Sequence, residues 1–425
     1  MGTIAAELGL GLAFTIISLA PNIPDWMKHN DSPKIRVQVR TGLEHTPGQN
    51  EQQREDSYGK MSMGGAVPNV VLFNANGDRI AYHRNDGGKE RMDHNTPHDI
   101  MVDYFKPGST ETPEYITVSA SGPDALCITS VTVTPPNTQE MWAFVPGEIA
   151  GECTALGRSW PWFYSDASVQ IQSSDGKTKE DVRPRCLWID RSGDYDGTYQ
   201  EASVPFEGFQ VHLPDFKLDN SKWKEWQGDL HQMCDSVARF GVFEHLNEKQ
   251  CPQKFDPPPP NAGQNVPWGE TPACHPDIWH SKPSDDPALN EDQAQEVECM
   301  FGDCQREPEF VPQLGKWSRS RGALGRNQVH RGTKRWVGQL VWSQDERASA
   351  VELCKDPGSR GPDFFSEREQ IFCDMDTHTL LPICNNQTVD CFDPVQNVTR
   401  HAGNEKRELK PRYTAVKHWA KLNAT

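Results

Sequence analysis

Pro113–Thr134 reads PEYITVSASGPDALCITSVTVT, and this stretch decides the fold class. EYITVSA and ALCITSVTVT both alternate small hydroxyl residues with β-branched or other apolar ones, and Gly122-Pro123 punctuates the join. Period-two alternation bounded by Gly and Pro is the signature of strands joined by a turn. The pattern continues on both sides. Upstream, Ile35, Val37 and Val39 alternate with polar residues, as do Ile100, Val102 and Tyr104. NVVLFNANGDRIAYHR reads as a hairpin, with Asn76-Gly77 expected to supply a positive-φ pair at its turn. Downstream come EMWAFV, SVQIQ, CLWID and GFQVHL. Roughly ten short strands between Lys34 and Pro214 imply an antiparallel β-sandwich.

The period changes at Asn220–Ser236. Trp223, Trp226, Leu230, Met233 and Val237 recur at threes and fours, which predicts a helix capped by Asn220 or Ser221. Pro257–Pro260 opens a Pro-rich stretch of extended, non-regular chain. Beyond it, Lys316–Arg335 is basic and ends on a dibasic Lys334-Arg335, and RWVGQLVW reads as a strand. Ser343-Gln-Asp-Glu346 has the spacing of a capping box, predicting a helix from there to about Cys354. No internal repeat is evident. The expected organisation is mainly β, and α+β overall. An apolar segment at 1–20 precedes a β-sandwich domain with a C-terminal helix at 34–250. A Pro-rich, cysteine-tacked linker at 251–315, a small disulfide-rich α+β domain at 316–400 and a polar tail at 401–425 follow.

The chain has 425 residues, of which 35% are apolar, and a net charge of −17. Globular chains usually reach about 45–50% apolar, counting Gly, so the core is expected to be modest. The acidic balance disfavours nucleic acid as a partner, since binding to phosphates needs a basic face. The twelve cysteines are Cys127, Cys153, Cys186, Cys234, Cys251, Cys274, Cys299, Cys304, Cys354, Cys373, Cys384 and Cys391. None forms a C-x-x-C, so the short paired spacings of zinc sites are missing and disulfides are the expectation. Their connectivity cannot be read from spacing. Sequons at Asn30, Asn386 and Asn397 agree with an oxidising, secretory route. Leu8–Ala20 has the length of a secretory apolar core but follows Glu7, lacks a basic start and precedes Pro21. A signal peptide is the expectation for it, with a buried helix and a membrane-inserting segment as the alternatives. It is too short to span a bilayer, which takes about 20 apolar residues.

PEYITVSASGPDALCITSVTVT, the Trp142 strand, RPRCLWIDR, GFQVHLPDF, MCDSVARFGVFE, ASAVELCKDPGSRGPDFFSEREQIFCDMDT and DCFD together resemble a family of uncharacterised secreted proteins of filamentous fungi. The resemblance runs from about Lys34 to Asp393 and keeps order around the cysteines. This chain departs from it in a longer Pro-rich middle and an insertion around Gln49–Met63. The family carries no activity, so it implies secretion and transfers no catalytic residue. By strand rhythm, Ile35–Val133 also resembles the PLAT-type sandwich, whose members bind lipids or proteins.

Candidate chemistry is sparse. Asp190, Asp194 and Asp196 crowd a Gly-containing turn, and such hard oxygen donors suit calcium, although the spacing departs from the twelve-residue calcium loop and a solvated turn is the plainer reading. No other cofactor is expected. His94 and His98 stand four apart, but Pro97 denies a regular helix. Asp374, Asp376 and His378 alternate as on one strand face. No G-x-S-x-G elbow, P-loop or Rossmann glycine run occurs. Glu148, Glu152, Asp190 and Glu207 are available acids but define no catalytic set. RSWPWFYSD packs Trp160, Trp162 and Tyr164 into one loop, and such rings stack on sugars or anchor interfaces when exposed and fill cores when buried. The expected function is that of a secreted, disulfide-rich, non-enzymatic protein binding a cell-wall polysaccharide or an extracellular protein, with an effector or defence role. The alternatives are a secreted polysaccharide hydrolase and a membrane-active toxin working through the N-terminal segment.

Overall fold

The computed structural model describes residues 33–42, 64–136, 140–172, 179–255, 270–271 and 336–422, with breaks of which 93–96, 218–224, 247–252, 386–389 and 401–412 are the longest. Two antiparallel sheets form the first part. One contains β1 (Lys34–Thr41), β4 (His98–Asp103), β6 (Leu126–Thr134), β7 (Trp142–Phe144), β8 (Trp162–Tyr164) and β9 (Arg185–Ile189), in the order β8-β9-β6-β1-β4 with β7 also on β6. The other contains β2 (Asn69–Phe73), β3 (Arg79–His83), β5 (Tyr115–Ser119), β10 (Gly208–His212) and β11 (Phe240–Phe243), in the order β11-β10-β5-β2-β3. The Pro113–Thr134 stretch thus supplies the middle strand of each sheet, and Ile116 and Val118 meet Val131 and Val133 in one buried cluster. Alternation works here because every second side chain faces the same way.

Two local expectations are corrected. Only Gly77 takes a positive φ (88°) at the β2–β3 turn, where Asn74 Oδ1 accepts the N–H groups of Asn76 and Asp78; the ladder absorbs the extra residue as an irregularity at Leu72/Phe73. The helix expected at Asn220–Ser236 is not continuous: Glu225 is helical, the chain turns at Gly228–Leu230, and a one-turn helix, α2 (His231–Cys234), follows; 218–224 and 226–227 lie outside the described residues. The chain after 250 is tied to the sandwich at its start. Gln253 exchanges hydrogen bonds with Gln210, and the Phe255 N–H donates to the Tyr115 hydroxyl.

The C-terminal part is a mixed sheet of β12 (Gln339–Ser343), β13 (Asp363–Ser366), β14 (Ile371–Asp374), β15 (Thr379–Pro382) and β18 (Ala415–Trp419), ordered β15-β14-β13-β12-β18, plus the hairpin β16 (Cys391–Asp393)–β17 (Val398–Arg400). β12 runs parallel to both β13 and β18. Residues 415–419, expected as part of a polar tail, are therefore a sheet strand, and Trp419 is 2% exposed. The helix begins later than expected. Ser343 closes β12, whereas α3 (Ala350–Lys355) is capped by Ser349, whose Oγ accepts from the Glu352 N–H. The cap spacing occurs twice, and the second copy is used because Glu369 reaches the first-turn N–H groups of Ala350 and Val351.

One turn is repeated in three hairpins. Ser366, Asp374 and Asp393 each accept backbone N–H groups two or three residues on, and the residue four places on is left-handed: Gln370 (φ 55°), His378 (φ 52°) and Asn397 (φ 54°). Such self-bonding by Asp or Ser is what stabilises these turns. Asp374, Asp376 and His378 therefore define a turn and not a strand face.

Eight described cysteines form four disulfides: Cys127–Cys186, Cys153–Cys234, Cys354–Cys373 and Cys384–Cys391. Cys251, Cys274, Cys299 and Cys304 lie outside the described residues. Two of the bridges fall within the sandwich part and two within the C-terminal part. Their sequence separations are 59, 81, 19 and 7 residues. Loop-closure entropy makes the two long bridges worth about 4 kcal/mol each and the shortest about 2 kcal/mol. Denaturant titration should therefore show a larger loss for Cys153→Ala/Cys234→Ala than for Cys384→Ala/Cys391→Ala; the reverse order would contradict the assignment.

Candidate functional site

The densest cluster of charged groups lies where the two parts meet. It begins with Pro146-Gly-Glu-Ile-Ala-Gly-Glu-Cys153, which forms helix α1. Pro146 sits in the first turn, where its missing N–H costs nothing. Gly147 lets the helix lie directly on β9, since a Cβ there would stand 2.3 Å from the Arg185 carbonyl carbon. Glu148 and Glu152, four apart, share the helix face toward Arg185. Glu148 accepts the Arg185 backbone N–H (2.7 Å) and Nη1 (3.0 Å), and Glu152 accepts the same Nη1 at 2.9 Å. Nη2 donates to Glu352 of α3, and the guanidinium carbon lies 4.9 Å from the Trp162 ring centroid.

Around this cation the C-terminal part is fastened to the sandwich. The Tyr164 hydroxyl donates to Glu352 and accepts from the Ser349 N–H, so the sandwich completes the cap of α3. Trp162 Nε1 and the Thr154 hydroxyl both donate to Asp356. Trp188 Nε1 donates to the Arg360 carbonyl (2.8 Å), and the Arg360 N–H to the Trp162 carbonyl (2.9 Å). Gly361 is a close approach, because a Cβ there would meet the Phe163 ring at 2.4 Å. Arg183–Asp345 and Lys417–Asp166 are further ion pairs across the junction.

Burial dominates the electrostatics. It pushes the Glu152 carboxyl up to about 7, against the pull of Arg185 and with help from Glu148 and Glu352. It also raises Glu148 despite Arg185. Burial opposes the charge of Arg185, but Glu352 and Glu148 outweigh it and hold the guanidinium well above its usual value. One cation thus faces three carboxylates in a partly dry setting, and the cluster can bind and release protons near neutral pH.

A second buried set holds the sandwich end together. His212 is flanked by Asp215 on Nδ1 (2.8 Å) and Glu114 on Nε2 (3.1 Å), and Arg239 Nε donates to Asp215 (2.8 Å). Burial works against the His212 charge, yet Asp215 and Glu114 outweigh it and hold the imidazole above its ordinary value. Burial likewise opposes ionisation of Asp215, but His212 and Arg239 hold it low. With carboxylates on both ring nitrogens, His212 is an imidazolium strut and not a base facing a nucleophile.

The residues singled out from sequence fall as follows. Trp160, Trp162 and Tyr164, offered for ring stacking on a ligand, are 8%, 0% and 3% exposed. Their faces are covered by Phe240, Arg185 and Phe364, so the loop is a junction and, of the two readings, the rings take the core-filling one. Asp190 is buried beside β9, Asp194 lies in a two-stranded ribbon against Tyr199, and Asp196 is outside the described residues. His98 and His83 each stand 3.5 Å from one oxygen of Glu90, and His94 is outside the described residues. Among the described residues, no three His, Cys, Asp or Glu side chains are grouped as a metal site. Asn397 is half-buried at the β16–β17 turn; Asn30, Asn386, the Leu8–Ala20 segment and the basic stretch to Arg335 are outside the described residues. No described helix is long and apolar enough to cross a membrane. Sequence reasoning missed Arg185 and Glu352. The legible hint was the Gly-Glu-x-x-Gly-Glu spacing of α1.

Two measurements follow. Arg185→Met strands buried carboxylates and lowers stability by about 3–5 kcal/mol, and adding Glu148→Gln and Glu152→Gln recovers much of the loss; a neutral Arg185→Met variant in denaturant titration would contradict the network. Because the folded His212 pKa is raised, its stabilisation is complete below 6.5 and is lost as pH rises through the folded value. Nitrogen-resolved NMR should show its ring titrating above the ordinary imidazole range, and a midpoint at or below 6.5 would refute the strut.

No known protein family matches the chain, and no curated protein matches it. Among solved structures it is similar to crystal structures of lipoxygenase (LOX) variants. One is 8% identical over 37% of this chain and 16% of that chain, with a TM-score of 0.18. Another, an anaerobic complex with arachidonate, is 13% identical over 34% and 24%, with a TM-score of 0.19. The chain thus spans less than a quarter of the length of these structures. A likeness this low carries no argument about this chain, and the β-sandwich rests on its own strand pairing.

Proposed function

We propose that this chain is an exported, disulfide-stapled binding protein acting at a cell-wall polysaccharide or on another extracellular protein, in an effector or defence role. The observation that carries the reading is the pairing of all eight described cysteines into four bridges. Such bridges persist in oxidising compartments. Glycans at Asn30, Asn386 and Asn397 fit the same route.

Two structural features favour binding over catalysis. The buried titratable clusters are occupied in internal pairs, around Arg185 and around His212. The three like hairpin turns present Arg368, Gln370, Asp376, Thr377, Val395 and Gln396 as exposed residues on a disulfide-fixed frame, with Val395 89% exposed. Turns held by a rigid scaffold are where binding residues concentrate. The buried tryptophans shift recognition away from the RSWPWFYSD loop and toward these turns.

The test is retention. Full-length protein collected from culture medium should be retained on wall polysaccharide or on an extracellular protein array, and Gln370→Ala with Val395→Asp should weaken retention at least tenfold without lowering the melting temperature. Release of reducing sugar ends would favour the hydrolase instead. Absence of the chain from the medium, or no retention on either surface, would overturn the proposal.

A further inference from the structure

We propose that the Arg185 cluster is a proton-operated clasp: in acid a proton on the Glu148–Glu152 pair fastens α3 and the sheet strand β12 onto the sandwich, and its loss in mild alkali loosens the junction at α3. The geometry motivates this. Glu148 Oε2 and Glu152 Oε1 lie 3.0 and 2.9 Å from the same Nη1, while Arg185 Nε has no hydrogen-bond partner among the described residues. Two carboxylates crowded on one donor cannot both ionise cheaply, so one takes a proton. Glu352 adds a third negative group through Nη2.

Every element around the pair contributes charge. From α1 itself come Glu148 and Glu152; from β9, Arg185; from β8, the Tyr164 hydroxyl on Glu352. From the C-terminal part come Glu352, Asp356 on Trp162 and Thr154, and Arg347, which acts on Glu148. On the α2 side Arg158 pairs with Asp235, which also takes His231. Among the described residues Arg185 is the guanidinium that bonds both acids directly, with Arg347 acting on Glu148 from further off, and the proton adds positive charge where three carboxylates meet.

The junction is free to respond. Among the described disulfides none crosses it. Burial raises Glu152 to about 7 and raises Glu148 in the same direction. A carboxyl with a raised folded pKa contributes fully below its unfolded value of 4.5 and loses its contribution as pH climbs through the folded value. The window therefore runs from about pH 4.5 to 7, and acid tightens the junction.

Hydrogen exchange of the full chain, corrected for intrinsic rates, tests this. Protection of 350–355 should fall on the order of tenfold or more between pH 5.5 and 8.5, while protection of β5 and β6 holds. Glu152→Gln should keep the protection and flatten its pH dependence. Should that variant fail to fold, infrared spectra of the unaltered protein decide: a protonated-carboxyl band present at pH 6 and gone at pH 8.5 supports the clasp. Unchanged protection of 350–355, a pH slope retained in Glu152→Gln, or no such band would overturn it.

Discussion

The joint between the sandwich and the C-terminal sheet is arranged around one largely buried guanidinium. Arg185 is the point where helix α1, strand β8 and helix α3 meet. Its position demands the small residues of α1, since Cβ atoms at Gly147 and Gly151 would strike its backbone and side chain. It also demands an aromatic face in Trp162 and acids on two separate elements. A buried ion cluster is weak as a source of net stability, because desolvation consumes much of the attraction. Its effect here is on register. Only one docking of α3 places Glu352 on Nη2 while leaving Tyr164 to cap the helix.

Stability has a different source. One apolar cluster runs from Ile35 and Val37 through Phe144, Phe209 and Trp188 to Val341, Phe364 and Trp419, so the C-terminal sheet shares the sandwich core. A second cluster on the far face of that sheet stacks Phe372 on Phe392 at 4.4 Å. A chain with 35% apolar residues concentrates them in strands that are buried on both faces, as in Leu126–Thr134. Four bridges then restrict the unfolded chain, three of them from within this cluster.

The strands were legible because period-two alternation is local and Gly, Pro and Asn punctuate it. Ile35–Val39, Val70–Phe73 and Leu126–Thr134 needed no partner to be read. What escaped depends on contacts distant in sequence. Trp162 bonds a residue 194 positions away and Tyr164 one 188 away, so the sequence left this loop between an exposed face and a filled core, and only the fold makes it a joint. Ser343 and Ser349 both begin an S-x-x-E, and only the position of Glu369 selects the second. The repeated hairpin was hidden because Ser and Asp serve alike as acceptors, and Gln, His and Asn alike as left-handed residues. At the junction the two acids of α1 were visible in number, but not their shared arginine.

The central claim is that the junction, crossed by no disulfide among the described residues, makes the sandwich and the C-terminal sheet one cooperative body. Native-state hydrogen exchange along a denaturant series at pH 5.5 tests it most directly. Amides of β6, β9, β12 and β13 should converge on one opening free energy and one denaturant slope, as parts of a single core do. A separate, lower-energy opening of β12 and β13 at that pH would contradict the account.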